Sequence, residues 1–316
     1  MSESATREAS VRTVVIAVLV NLTIAGAKGL AAVLTGSAAL WAETAHSLAD
    51  TGNEVLLYVG LRRSDRPADE RHPFGYGQER WFWTFLAAMG IFVVGGIFSI
   101  AEGIAAMLHP RPLEDVPVGI AVLVVSFVLE AVSWRTARAQ LREEARARRR
   151  SMAEHLRRAS DPTATTVLLE DTAALVGITV ALLAIALHWL TGWAGWDAGA
   201  GVLIGLLLVG VAYLVARRSK GLLIDESAPP DVLDRLRERI REETWVRRIE
   251  SLTAVYIGPG RLLVTARLLP VAEMVRLPAE VLVARAYALR ADLCASDVIS
   301  DAEITLVPEG DQPSST

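Results

Sequence analysis

The sequence predicts a mainly α-helical membrane protein, six transmembrane helices followed by a small α+β cytoplasmic domain. Three observations carry this reading. Of the 316 residues, 52% are hydrophobic and 22% are charged, so charge must be segregated from long apolar stretches. Six stretches, near residues 11–35, 38–61, 81–108, 117–140, 163–189 and 196–216, reach the roughly 20 residues that cross a bilayer. Beyond them, residues 221–308 switch to the shorter periods of a soluble unit.

Residues 1–10 are polar and no small-residue cleavage site follows the first apolar run, so 1–10 reads as a cytoplasmic tail and 11–35 as a retained span. Arginine sets the orientation. The loop at 62–80 carries Arg62, Arg63, Arg66, Arg71 and Arg80, and the linker at 135–158 carries Arg135, Arg138, Arg142, Arg146, Arg148, Arg149, Arg150, Arg157 and Arg158. The alternate loops are nearly bare, with only Arg111 at 109–116. The positive-inside rule then puts the basic loops and both termini in the cytoplasm, and the expected location is the cell inner membrane. The arginine run at 142–158 reads as a solvated linker facing lipid headgroups. A net charge of −4 argues against nucleic acid as a partner, and the single Cys294 excludes an internal disulfide.

The second span carries the chemistry. Glu43, His46, Asp50 and Asn53 are spaced by 3, 4 and 3 residues, which stacks them on one helix face. Ionisable groups inside a span are costly and mark a functional path. Imidazole and carboxylate four residues apart can hold one cation. The fifth span, capped by Asp161 with Pro162 at its first position, brings Asp171 about 15 Å up from its cytoplasmic start; Asp50 lies ~16–18 Å up from the same side. The two carboxylates reach one depth from antiparallel helices, which supports a shared site. Elsewhere the spans hold Asn21, Lys28, Glu102, Glu130 and Glu170; Lys28 is expected to pair with Glu102. His109, His155 and His188 read as anchors at span ends, and Asn21 and Asn53 as hydrogen-bond partners of the ligands or of neighbouring helices. Glycine-rich faces, including Gly95, Gly96, Gly201 and Gly205, suit close helix packing, and the sixth span reads as a lipid-facing or packing helix.

The tail predicts an αββαβ, ferredoxin-like unit. A helix follows Pro229 and Pro230, a strand near 249–257 turns at Gly258-Pro259-Gly260 into a strand near 261–269, and a helix near 278–293 leads to a strand near 302–307. Residues 309–316 read as a disordered tail.

Taken in order, several strings resemble the cation diffusion facilitator family. Gly36-Ser37-Ala38-Ala39-Leu40 leading into Ala45-His46-Ser47-Leu48-Ala49-Asp50 is similar to its second-span signature. His72-Pro73-Phe74-Gly75-Tyr76-Gly77-Gln78 is similar to its first cytoplasmic loop, and Gly221-Leu222-Leu223-Ile224-Asp225-Glu226 to its junction between membrane and tail. Leu168-Leu169-Glu170-Asp171 is similar to the subgroup that includes mitochondrial zinc transporters.

The resemblance implies divalent-metal efflux, usually of Zn2+, exchanged for protons by an alternating-access homodimer; mixed imidazole and carboxylate donors also suit Mn2+, Fe2+ or Co2+. It implies no enzyme activity. It carries His46, Asp50 and Asp171 over as transport ligands. The family's fourth position is Val167 here, so Glu170, Glu43 or water must complete the shell, with Glu170 ranked first. Asp69 and His72 match a loop metal site that lacks a further His, since Tyr76 stands there; a surface or dimer-packing role is favoured for them. No His follows His188 and Arg267 takes a strand position where a ligand might fall, so a zinc cluster in the tail is not expected. The alternative is a non-transporting membrane metal sensor or assembly partner with an incomplete site. An intramembrane hydrolase is disfavoured, since neither His-Glu-x-x-His nor Gly-x-Ser-x-Gly occurs.

Overall fold

The computed structural model describes residues 3–147, 151–152, 163–296 and 298–308. The expected cap at Asp161 and Pro162, His155, the arginines at 148–150, 157 and 158, and the tail at 309–316 lie outside the described residues. The chain forms two units, one within Met1–Arg63 and Glu79–Lys220 and the other within Ser64–Gln78 and Gly221–Thr316.

The first unit is helical. Its elements are α1 (Glu3–Thr35), α2 (Ala38–Ser64), α3 (Glu79–Gly90), a π-helical stretch (Ile91–Ile97), α4 (Phe98–Leu108), α5 (Val116–Ala147), α6 (Thr163–Thr191) and α7 (Gly195–Leu223). The helix of α1 begins at Glu3, eight residues before the expected start at 11. The expected span at 81–108 is one rod whose middle is π-helical; such bulges widen a helix by one residue per turn and recur at functional positions.

Among the described residues, five helical stretches are long and apolar enough to cross a membrane: Val18–Thr35, Glu79–Leu108, Val116–Ala147, Thr165–Thr191 and Gly195–Leu223. The exception is α2, expected as a sixth span. It has 27 residues, which is length enough, but Glu43, Asp50 and Glu54 lower its hydropathy. Its surroundings explain how it carries them. Leu40, Ala42, Ala45 and Ala49 are buried on α2, and Glu43, His46 and Asn53 are buried with them. By contrast α5 presents Val124, Val125, Val128 and Val132 outward, as a helix facing hydrocarbon does.

Small residues let α4 and the π-helical stretch meet α7 closely. A Cβ on Gly205 would stand 2.7 Å from Ile100 Cγ1, and one on Gly103 would stand 2.6 Å from the Val202 nitrogen. α7 is thus a packing helix, one of the two roles expected for it. The turn from α1 to α2 needs Gly36, whose φ is +70°. The start of α2 is capped twice. Ser37 Oγ accepts from the Leu40 N–H at 3.1 Å, and Asp197 at the start of α7 accepts from the Ala38 N–H at 2.6 Å and from Ser37 Oγ at 2.5 Å.

The second unit comprises α8 (Pro230–Arg241), β1 (Val246–Gly258), β2 (Arg261–Pro270), the single turn α9 (Ala272–Val275), α10 (Ala279–Cys294) and β3 (Ile299–Leu306). The sheet order is β1-β2-β3, with β1 and β2 antiparallel and β2 and β3 parallel. The parallel pair requires a crossover, and α10 supplies it. Leu262, Val264, Ala266 and Leu268 alternate into the core as their period of two demands, beneath Leu236 and Ile240 of α8 and Leu289 and Leu293 of α10. The hairpin closes at Gly260, φ +69°. The loop at 64–78, placed inside the 11–220 membrane domain by sequence, clusters with this unit instead. Its backbone at Gly77 lies so close to Gly258 that a Cβ on Gly77 would stand 2.6 Å from the Gly258 Cα.

Candidate metal site

The stripe on α2 forms a ladder of polar contacts to neighbouring helices. Lys28 of α1 donates from Nζ to Glu43 Oε2 and to Ser47 Oγ, both at 2.9 Å, and both ends of the ion pair are fully buried. This replaces the expected Lys28–Glu102 pair. Matching depth did not reveal which way each helix face turns, and Glu43 on α2 is the carboxylate that α1 meets. One turn further along α2, His46 Nε2 stands 3.1 Å from Asp50 Oδ2. A further turn on, Asn53 Nδ2 donates to Glu170 Oε1 at 2.7 Å and to Oε2 at 2.5 Å. Asn21 of α1 donates to Glu54 Oε1 at 2.6 Å.

The His46–Asp50 pair is close but not aligned as a hydrogen bond. Both ring nitrogens of His46 and Oδ1 of Asp50 are buried without a hydrogen-bond partner. Native proteins rarely leave such atoms unpaired, because each costs on the order of 1–3 kcal/mol. Zinc bonds nitrogen and carboxylate oxygen at about 2.0–2.2 Å in tetrahedral sites, which sets neighbouring donors ~3.3 Å apart. The observed 3.1 Å separation fits one cation held between the two side chains.

α6 lies across from this pair and splits its two acids. Glu170 is buried and bonded by Asn53. Asp171 turns the other way and accepts from Ser133 Oγ of α5 at 2.9 Å. Among the described residues, no three His, Cys, Asp or Glu side chains converge as a metal cluster. The structure therefore pairs His46 with Asp50, sets Glu170 and Asp171 beside them without closing a shell, and commits Glu43 to Lys28. Two further half-buried acids, Glu130 of α5 and Glu54 of α2, are not joined to the site by sequence; Glu54 lies one turn beyond Asp50 and accepts from Asn21.

A match to the cation efflux transmembrane domain covers residues 14–224. The chain belongs to the cation efflux family, the cation diffusion facilitators. This is a family of transporters rather than enzymes. The chain is 33% identical over 250 residues to the mitochondrial proton-coupled zinc antiporter SLC30A9 of Xenopus laevis, covering 79% of this chain and 45% of that one. It is 32% identical to the human protein of the same name, over 79% of this chain and 44% of the relative. It is 29% identical to metal tolerance protein C4 of Arabidopsis thaliana, over 72% of this chain and 50% of that one. The chain thus spans about half the length or less of these relatives.

The remaining candidates of this cation efflux protein lie in the second unit and at the span ends. Asp69 organises its own loop. Its Oδ1 accepts from the His72 N–H at 2.8 Å and the Arg71 N–H at 3.0 Å, and its Oδ2 accepts from Tyr76 Oη at 2.7 Å. The Tyr76 hydroxyl, then the His72 N–H, hold the Asp69 carboxyl below the usual carboxylate range. Arg66 sits 4.3 Å above the Tyr76 ring and the His72 ring lies tilted against it, centroids 4.1 Å apart, so Tyr76 closes a loop knot at the position where the resemblance would place a further ligand. His188, read as an anchor at a span end, is buried and lines a small cavity of about 70 Å³ with Glu102, His109, Arg111 and Asp197.

Proposed function

We propose that this protein is a divalent metal cation efflux transporter that exchanges zinc for protons. The observation that carries the reading is the His46–Asp50 pair: both His46 nitrogens and Asp50 Oδ1 are buried without a hydrogen-bond partner, and Nε2 stands 3.1 Å from Oδ2, close to the spacing of two donors on one tetrahedral cation. The printed names of the Xenopus and human relatives, proton-coupled zinc antiporters, support zinc and protons as the exchanged ions.

In this reading α2 is the sixth transmembrane helix, its acids tolerated because they face the bundle interior. His46 and Asp50 take the cation first. Asp171 leaves Ser133 to become the third ligand, and Glu170, released by Asn53, or water becomes the fourth. Metal binds only deprotonated imidazole and carboxylate, so cation and protons compete for the same atoms, and that competition is the coupling. The mixed donor set suits zinc and also admits Mn2+, Fe2+ or Co2+. The arginine-rich loops face the cytoplasm, the αββαβ unit is ferredoxin-like, and the transporter works by alternating access as a homodimer.

Uptake of a panel of divalent ions into proteoliposomes tests this. Zinc flux should lead the panel, and Asp50→Asn should abolish it. Binding without flux would support the metal-sensor reading instead.

A further inference from the structure

We infer that Lys28 sets the metal selectivity of the site by holding Glu43 out of it. The inference rests on the metal-transport reading above and concerns one residue pair beside the ligands. Glu43 lies three residues before His46 on the same helix face, where side chains are about 5–6 Å apart at Cβ. Its Oε1 has no hydrogen-bond partner and lies against α6 at Gly177, where a Cβ would collide with it. Glu43 thus faces the helix that carries Glu170 and Asp171, and the polar contact that restrains it is the Lys28 ammonium.

That ammonium is fully buried and anchored a second time by Ser47 Oγ. It neutralises Glu43 and fixes its direction. Without it, Glu43 is a buried carboxylate one turn from His46, free to join a cation there. A site with one more carboxylate is harder and more anionic. Carboxylate oxygen favours Mn2+, whereas imidazole suits Zn2+. Lys28 is therefore a positioning residue: it touches no cargo, and it acts by keeping the donor set rich in nitrogen relative to oxygen.

The test measures Zn2+ and Mn2+ affinity of the purified full chain by titration calorimetry for wild type, Lys28→Arg, Lys28→Gln and Lys28→Gln/Glu43→Gln. Lys28→Gln should lower the preference for Zn2+ over Mn2+ roughly tenfold, a typical coupling between linked sites. Lys28→Arg and the doubly neutral variant should keep the wild-type ratio. A packing role alone would weaken both metals together and leave the ratio unchanged, which overturns the inference. If Lys28→Gln does not fold, Lys28→Met, closer in shape and equally without the ammonium, decides: a ratio shifted toward Mn2+ supports sequestration of Glu43, and a wild-type ratio refutes it. Zinc binding that Asp50→Asn leaves untouched would instead sink the transport-site reading itself.

Discussion

Glu170 and Asp171 are consecutive on α6 and are held by different helices: Glu170 by Asn53 of α2, Asp171 by Ser133 of α5. Consecutive helical residues diverge by about 100°, so both cannot face α2 without a shift of α6 or of a side chain. In the proposed transport site, the Ser133 bond competes with metal for Asp171. Ser133→Ala should raise zinc affinity about two- to fivefold, the worth of one modest hydrogen bond. Asp171→Ala and Asp50→Ala should each abolish transport while the protein stays folded. Calorimetry and flux on the three variants check this, and a weaker-binding Ser133→Ala would show that Ser133 supports the site.

Val167 stands one turn before Asp171 on the same face of α6, the position where the family resemblance would put a fourth ligand. Val167→His should tighten zinc binding and favour zinc over manganese. Glu170→Gln should weaken binding, and the added His should partly restore it. A double-mutant cycle on zinc affinity at two pH values measures the coupling. Additivity, with Glu170→Gln silent alone, would leave three protein ligands and water.

Packing of α7 depends on Gly205. The Cβ of Gly205→Ala would stand 2.7 Å from Ile100 Cγ1 and 2.8 Å from the Ile100 nitrogen, and the nitrogen cannot move aside as a side chain can. The substitution should cost about 1–3 kcal/mol, the usual price of overpacking. Gly210→Ala, with open space around its Cα, should be tolerated. Thermal denaturation in detergent compares the two.

The loop knot should titrate at both ends of the pH scale. The Tyr76–Asp69 hydrogen bond depresses the Asp69 pKa and raises that of Tyr76. For Asp69, the stabilisation is present above its unfolded value near 4 and lost as pH falls through the lower folded value. For Tyr76, it is present below about 10 and lost as pH rises through the higher folded value. Protection factors for amide exchange across 64–78, corrected for the intrinsic pH dependence of exchange, should therefore hold at neutral pH and decline as pH falls below ~4, and Asp69→Asn should lower them at neutral pH. An unchanged exchange rate in that variant would mean that the Gly77–Gly258 contact alone holds the loop.

Much of this arrangement is legible in the chain because it follows from period. Spacings of 3, 4 and 3 place Glu43, His46, Asp50 and Asn53 on one face of α2, and alternation at Leu262, Val264, Ala266 and Leu268 identifies the core face of β2. What period cannot give is the rotation of one helix against another. That is why depth alone pairs Lys28 with Glu102 while α1 turns it toward Glu43, and why depth does not show that Ser133 of α5 holds Asp171. The docking of the 64–78 loop was hidden for a related reason. It depends on two glycines, Gly77 and Gly258, far apart in sequence, whose lack of side chains matters only once their backbones meet.

The central claim is that zinc and protons compete at His46 and Asp50. Zinc uptake into proteoliposomes, measured with and without an opposing proton gradient, tests it most directly. The account predicts uptake that accelerates when protons can leave in exchange, with Asp50→Asn abolishing both the flux and its response to the gradient. Zinc flux that ignores the proton gradient, or that persists in Asp50→Asn, would contradict it.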